Sequence, residues 1–231
     1  LLSKRFLESG RNADGSIPPM QFEQLSFSDP IFVSYTSGTT GLPKAIVHGI
    51  GYLLPVFRDF ALHFDTDRNS VWYSVSPVGW ASWNIFSSVI FTGAAVLLFE
   101  GSPYFLTPTY FWDLIDEHKI SHLFISSSVV EEFQKRNYVP TQKHTLDSLK
   151  VFMAGGSVVK SQLYEFVREK VKKGIPFTSG FGATEILGSS FVFESTLPIY
   201  KGEIPARGLG VAIETVDDNG NIFNPFSLVC Q

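Results

Sequence analysis

From residue 31 onward, short apolar runs alternate with longer stretches in which apolar residues recur every three or four positions. The short runs are rich in Val, Ile and Phe and predict strands over residues 31–35, 71–76, 95–99, 122–126, 149–154 and 176–179. The helical period predicts helices over 46–64, 80–91, 110–118, 129–136 and 160–172, with Pro55 starting or kinking the first. Strand and helix in alternation predict an α/β fold, a mostly parallel sheet with helices on both faces. Beyond Glu185 the rhythm changes. Residues 189–194, 208–216 and 222–229 look β-like, and Asp217-Asp218-Asn219-Gly220 is a strong hairpin-turn signal. The expected organisation is an irregular polar segment over 1–29, an α/β core over 30–188, and the start of a β-rich subdomain over 189–231.

Composition sharpens this picture by exclusion. The 231 residues are 44% hydrophobic and 15% aromatic, with 22 Phe, which is enough for a sizeable core. A net charge of −4 gives no footprint for nucleic acid or an anionic membrane surface. No charged residue occurs from Ser70 to Phe99, but Pro77, Gly79 and Gly93 interrupt that stretch. A buried strand, helix and strand fit it better than a membrane span. The single cysteine, Cys230, excludes an intramolecular disulfide framework and is compatible with a reducing compartment. The first residues carry no signal-peptide pattern, and the expected location is the cytoplasm. Both termini read as cut, which predicts a piece of a longer protein.

Candidate chemistry concentrates in three turns. Tyr35-Thr36-Ser37-Gly38-Thr39-Thr40-Gly41-Leu42-Pro43-Lys44 is suited to wrapping a polyphosphate. Glycines admit an anion to backbone N–H groups, Thr36, Ser37, Thr39 and Thr40 add hydroxyl donors, and Lys44 adds a positive charge. It is not a Walker A loop, since Pro43 precedes Lys44 and Ala45 follows it. Taken alone it could be a polar turn. A second turn, Gly180-Phe181-Gly182-Ala183-Thr184-Glu185, is acidic, and a third is Ala154-Gly155-Gly156-Ser157. Each follows a predicted strand directly, so all three could converge on one edge of one sheet, where such folds bind ligands. The five histidines, His48, His63, His118, His122 and His144, show no metal-ligand spacing and read as non-catalytic.

Taken in chain order, 35–44, 154–157 and 180–185, these three segments resemble the phosphate loop, the adenine-side loop and the aromatic-Gly-x-Thr-Glu motif of the adenylate-forming superfamily. That superfamily holds acyl-CoA synthetases, luciferases and peptide-synthetase adenylation domains. The resemblance implies ATP, Mg²⁺ and coenzyme A as cofactor and co-substrates, a small carboxylate as substrate, and catalytic roles for Lys44, Thr184 and Glu185. It implies that residues Thr36, Ser37, Gly38, Thr39, Thr40, Gly41 and Lys44 hold the β- and γ-phosphates. Thr184 would meet the α-phosphate and Glu185 would ligate Mg²⁺. Gly155, Gly156 and Ser157 would lie against adenine, with Phe181 stacked on it or, failing that, part of the core.

Within the superfamily the chain is similar to the acetoacetyl-CoA synthetases. The similarity rests on Val78-Gly79-Trp80 with Trp83-Asn84, on Gly93-Ala94-Ala95 with Gly101-Ser102-Pro103, on Trp112-Asp113-Leu114-Ile115-Asp116, and on Tyr200-Lys201-Gly202-Glu203-Ile204. It implies a short-chain acid pocket that includes Trp80 and Gly182. At Gly182 the acetate-activating relatives carry a Trp, so an indole's volume is expected to stand open, unless Gly182 is simply a turn glycine. The chain departs from the acetoacetate-specific pattern at Glu185, at Ala45 and over Asn224-Pro225-Phe226-Ser227. The implied ribose-binding Asp and the lysine of the small C-terminal domain would lie beyond Gln231. Another short-chain acyl-CoA synthetase, or a non-catalytic nucleotide-binding relative, are the alternatives.

Overall fold

A computed structural model describes residues 2–36, 41–99, 101–104 and 106–222. Its centre is a five-stranded, wholly parallel sheet made of β3 (Val71–Ser74), β4 (Ala95–Leu97), β5 (His122–Ser126), β6 (Val151–Gly155) and β7 (Phe177–Ser179), in the spatial order β4-β3-β5-β6-β7. Alternation along each strand divides its side chains between two cores. Tyr73, Leu123, Ile125, Phe152 and Ala154 face one layer with α4 (Tyr110–Glu117), α5 (Ser127–Arg136) and α6 (Ser161–Phe166). Trp72, Val151 and Met153 face the other, with α2 (Leu53–Arg58) and α3 (Ala81–Ser87). Helices cover both faces, as the apolar strand runs imply. No helix among the described residues is long and apolar enough to cross a membrane.

The strand order places the site. The chain runs from β3 outward to β4 and then crosses back to β5 on the other side of β3. The reversal leaves a crevice between the carboxyl ends of β3 and β5, the general ligand position on such sheets.

Three expectations need correction. Residues 46–49 are not helical. Lys44–Gly49 forms β2, paired antiparallel with β1 (Pro30–Thr36) in a separate two-stranded sheet. Ile46 and Val47 are β-branched and favour the extended chain, and helical backbone begins only at Ile50. The first strand is therefore a hairpin arm and not a member of the parallel sheet. The segment 1–29 is not wholly irregular, because α1 (Leu2–Ser9) joins good helix formers and is continued by an Arg11–Glu8 ion pair of 3.1 Å. Finally, 208–216 is not a strand. Gly210 turns left-handed at φ +74°, and both backbone groups of Leu209 are taken by side chains. Among the described residues beyond it the tail shows an antiparallel bridge, Val216 to Ile222, across the predicted Asp217–Gly220 turn. The rest of the expected last strand, and Asn224–Ser227, lie outside the described residues.

Between β7 and that bridge stands a three-stranded antiparallel sheet ordered β10-β9-β8: β8 (Phe181–Ala183), β9 (Gly188–Val192) and β10 (Ala206–Arg207). The acidic turn is thus the tip of the β8–β9 hairpin.

Candidate active site

A cavity of about 530 Å³ opens at the carboxyl ends of the parallel strands. Its floor is Val75 and Ser76 after β3, Phe124 and Ser126 in β5, Met153 and Gly155 in β6, and Gly180 after β7. One wall is the start of α3, with Trp80 at its N-cap position and Ile85 and Phe86 below. The other wall is the β8–β9 hairpin, with Gly182, Ala183, Thr184, Gly188 and Ser189.

Six residues singled out in the sequence meet here: Trp80, Gly155, Gly156, Ser157, Gly182 and Thr184 all line the cavity. Gly155 ends β6 against Phe124, whose ring lies 2.9 Å from where a Cβ would stand. Gly156 adopts φ +80°, a left-handed turn that glycine permits at no steric cost. Together they leave bare backbone facing the cavity. The Ser157 hydroxyl is tied to that of Ser127, at the first turn of α5. Thr184 is half-buried at the hairpin tip, and Glu185 beside it is exposed.

The remaining candidates do not line this cavity. Phe181 is 59% exposed and pairs across the hairpin with Phe191, at a ring separation of 6.4 Å. Thr36 and Lys44 face one another as the last register pair of the β1–β2 hairpin, and Gly41 is exposed in the turn between them. Ser37, Gly38, Thr39 and Thr40 lie outside the described residues. Gly182 occupies its expected place for a different reason. A Cβ there would stand 2.5 Å from the Gly188 carbonyl oxygen, because the two arms close on each other at an irregularity between Phe181 and Gly182. An indole at this position does not fit the backbone as it stands.

Sequence reasoning missed other members. Ser76, Ser82, Ser126, Ser128 and Ser189 give the cavity a hydroxyl-rich rim. Ser76 and Ser126 sit where β3 and β5 give out, so strand order could have found them. Asp59 could not be found that way. It lies in a π turn (Asp59–His63) that extends α2, is 6% exposed, and reaches the cavity from below. Its carboxylate accepts from Arg58 Nε at 2.8 Å and Nη2 at 2.6 Å, and from the Ser189 backbone N–H at 2.8 Å. Arg58 also donates to the carbonyls of Ser189 at 2.7 Å and Leu209 at 3.0 Å.

Among the described residues no group of three or more His, Cys, Asp and Glu is placed to hold a metal ion. Magnesium keeps most of its waters and is held by one or two carboxylates together with substrate phosphates. A lone exposed carboxylate, Glu185, beside the cavity fits such a role.

A parallel α/β sheet with helices on both faces and a glycine-lined cavity at its switch point places the chain in the doubly wound class of folds. The chain belongs to the AMP-binding enzyme family, whose model matches residues 3–225. It is 37% identical over 216 residues to the acetoacetyl-CoA synthetase of Gallus gallus, covering 93% of this chain and 32% of that protein. The acetoacetyl-coenzyme A synthetase of Rhizobium meliloti (strain 1021) is 31% identical, with 87% and 31% covered. The solved acetoacetyl-CoA synthetase from Streptomyces lividans superposes with a TM-score of 0.80 at 27% identity, over 90% of this chain and 33% of that one. The chain spans about a third of the length of these relatives.

Proposed function

We propose that this chain is the nucleotide- and acid-binding part of an ATP-dependent acid–thiol ligase whose carboxylate is acetoacetate. In the first half-reaction a carboxylate oxygen attacks the α-phosphorus of ATP, and the bond to pyrophosphate breaks. In the second, the thiol of coenzyme A attacks the acyl carbon and AMP leaves. Neither half needs a protein nucleophile, so the protein's work is to hold two anions together and meet the charge that develops.

The observation that carries this reading is the convergence of Gly155, Gly156, Ser157, Gly182 and Thr184 on one cavity at the sheet's switch point. The names of the relatives supply the substrate class. Bare backbone at Gly155 and Gly156 lets a flat adenine ring approach closely. Thr184 donates to the α-phosphate from the hairpin tip. Lys44 and the Thr36–Gly41 turn meet the β- and γ-phosphates. Glu185 would hold Mg²⁺, which supplies charge neutralisation on the phosphates when bound. The acid's body lies against Trp80, Ile85 and Phe86, and the proposed location is the cytoplasm.

The test is ATP–pyrophosphate exchange by the protein carrying this chain, with acetate, butyrate and acetoacetate offered in turn. Acetoacetate is expected to support the fastest exchange. Lys44→Ala is expected to slow it about 10²- to 10³-fold, the usual effect of removing one preorganised donor. Its melting temperature should not move, because Lys44 is exposed. Glu185→Gln should weaken the Mg²⁺ dependence. Exchange with no acid of the panel, or normal exchange by Lys44→Ala, would overturn the reading.

A further inference from the structure

The Thr184–Glu185 tip is four residues of turn between two short strands, and those strands bury little. One turn residue, Leu187, is fully buried, and the directional bonds that orient the hairpin come from another part of the chain. The geometry points to Arg58 and Asp59 as positioning residues that set the β8–β9 hairpin against the cavity. This rests on the proposed roles of Thr184 and Glu185, and deepens them.

Ser189 stands opposite Gly182, one pair in from the turn of the hairpin. Both of its backbone groups are held by the pair: its N–H donates to Asp59 Oδ2 at 2.8 Å, and its carbonyl accepts from Arg58 Nη2 at 2.7 Å. The same guanidinium reaches the Leu209 carbonyl at 3.0 Å, and His63 Nε2 accepts the Leu209 N–H at 3.1 Å. One short helical segment therefore holds the N–H and the carbonyl of two residues, Ser189 in the central strand of the three-stranded sheet and Leu209 just after its edge strand β10.

The approach is close because no side chain intervenes. A Cβ on Gly188 would stand 2.6 Å from Pro55 Cβ, and one on Gly208 would stand 2.5 Å from the Ser189 carbonyl oxygen and 3.0 Å from Arg58 Nη2. Glycine at both positions lets α2 press directly on backbone. Within the pair the charges cancel at the cavity wall, so Asp59 presents no net negative charge to an anionic ligand. Charge-assisted bonds of this kind are the strong ones, and breaking one partner of a buried pair leaves the other uncompensated.

The consequence reads out in two places. Ile186 and Leu187 donate to the Ala183 carbonyl at 3.2 and 3.1 Å, which closes the tip. If the clamp positions the hairpin, amides 184–187 should exchange hydrogen about tenfold or more faster in Arg58→Gln than in the parent chain, while β5 and β6 stay protected. In pyrophosphate exchange the same variant should lose kcat by about tenfold, more than its KM for ATP rises, as coupled residues do. Arg58→Lys should recover part of both, since an ammonium can serve Asp59 and Ser189 but cannot reach Leu209 as well. Asp59→Asn follows the same two readouts if the Arg58 variant folds poorly. Unchanged exchange at 184–187 in folded Arg58→Gln and Asp59→Asn overturns the inference. So does protection lost equally in β5 and β6, which would mark the pair as merely structural. If the parent protein activates no acid, the proposed function fails, and the hydrogen-exchange result still decides whether the clamp exists.

Discussion

The parallel sheet and the antiparallel sheet face the same cavity but are held in different ways. In the parallel sheet Trp72, Tyr73, Leu123, Ile125, Phe152 and Ala154 are all buried, and α4, α5 and α6 pack over one face with Trp112, Phe133 and Leu163 equally enclosed. In the antiparallel sheet β8 is exposed throughout and only Gly188 and Val192 of β9 are buried. Apolar burial is non-directional and spread over many contacts, so it fixes the floor without fixing any single atom. The hairpin wall has few buried side chains, Leu187 at its tip and Val192 among them, and otherwise depends on a few directional bonds to backbone groups, each of which matters to where its tip lies. A site assembled this way is expected to keep its base when single bonds of the wall are removed.

The largest break in that comparison should come from the floor. Trp112 is fully buried among Phe111 and Phe133 and donates from its indole to the Tyr138 carbonyl at 3.3 Å. Trp112→Ala should cost about 3–5 kcal/mol in urea unfolding. A loss no greater than that of a wall variant would mean the two regions are not held differently. Gly182→Trp comes next. Its side chain meets the Gly188 carbonyl, so the hairpin must give way, at about 1–3 kcal/mol. Exchange with acetate and with acetoacetate should fall together. A selective gain with acetate would show that the ring finds room and would restore Gly182 as a determinant of acid size.

The smallest expected effect is a pH dependence in the floor. Burial holds His122 below its usual value of 6.5, opposed by the hydrogen bond to the Phe64 carbonyl at 3.0 Å. The ring stacks on Trp72 at 4.7 Å, and its other nitrogen meets the Ser121 hydroxyl at 2.8 Å. The unfolded chain therefore binds a proton at a higher pH than the folded one. Stability from this residue is present above 6.5 and lost as pH falls through the lower folded value. Melting temperature should decline from about pH 7.5 to about pH 5.5, with a shallower slope in His122→Gln. An identical slope in that variant would assign the dependence to other groups.

Legibility followed the same division. The parallel strands were readable because each is a short, largely apolar run bounded by polar or turn residues and set between helical patterns. Strand β2 was not, since the apolar period of Ile46 and Val47 continues across Gly49 into the helical pattern that begins at Ile50, and the breaker signal of Gly49 and Gly51 was outweighed by it. Gly155, Gly156 and Thr184 were readable because a turn's chemistry is written in its own residues. Arg58 and Asp59 were not. Adjacent charges on a helix look solvated in a sequence, and their partners here are backbone groups of Ser189 and Leu209, which carry no side-chain signal.

The π turn after α2 also has a consequence for chain length. Phe64 donates to the Asp59 carbonyl, one residue further back than an α-helix would allow. Arg58 and His63 can both face Leu209 because the turn is widened. In a regular α-helix their separation would leave them roughly 140° apart around the axis. The spacing is thus part of the clamp as much as the side chains are. Removing a single residue between them, such as Ala61, would return the turn to α geometry and leave Arg58 and His63 four residues apart, about 40° around the axis, so a shorter chain could keep both on one face without the π turn.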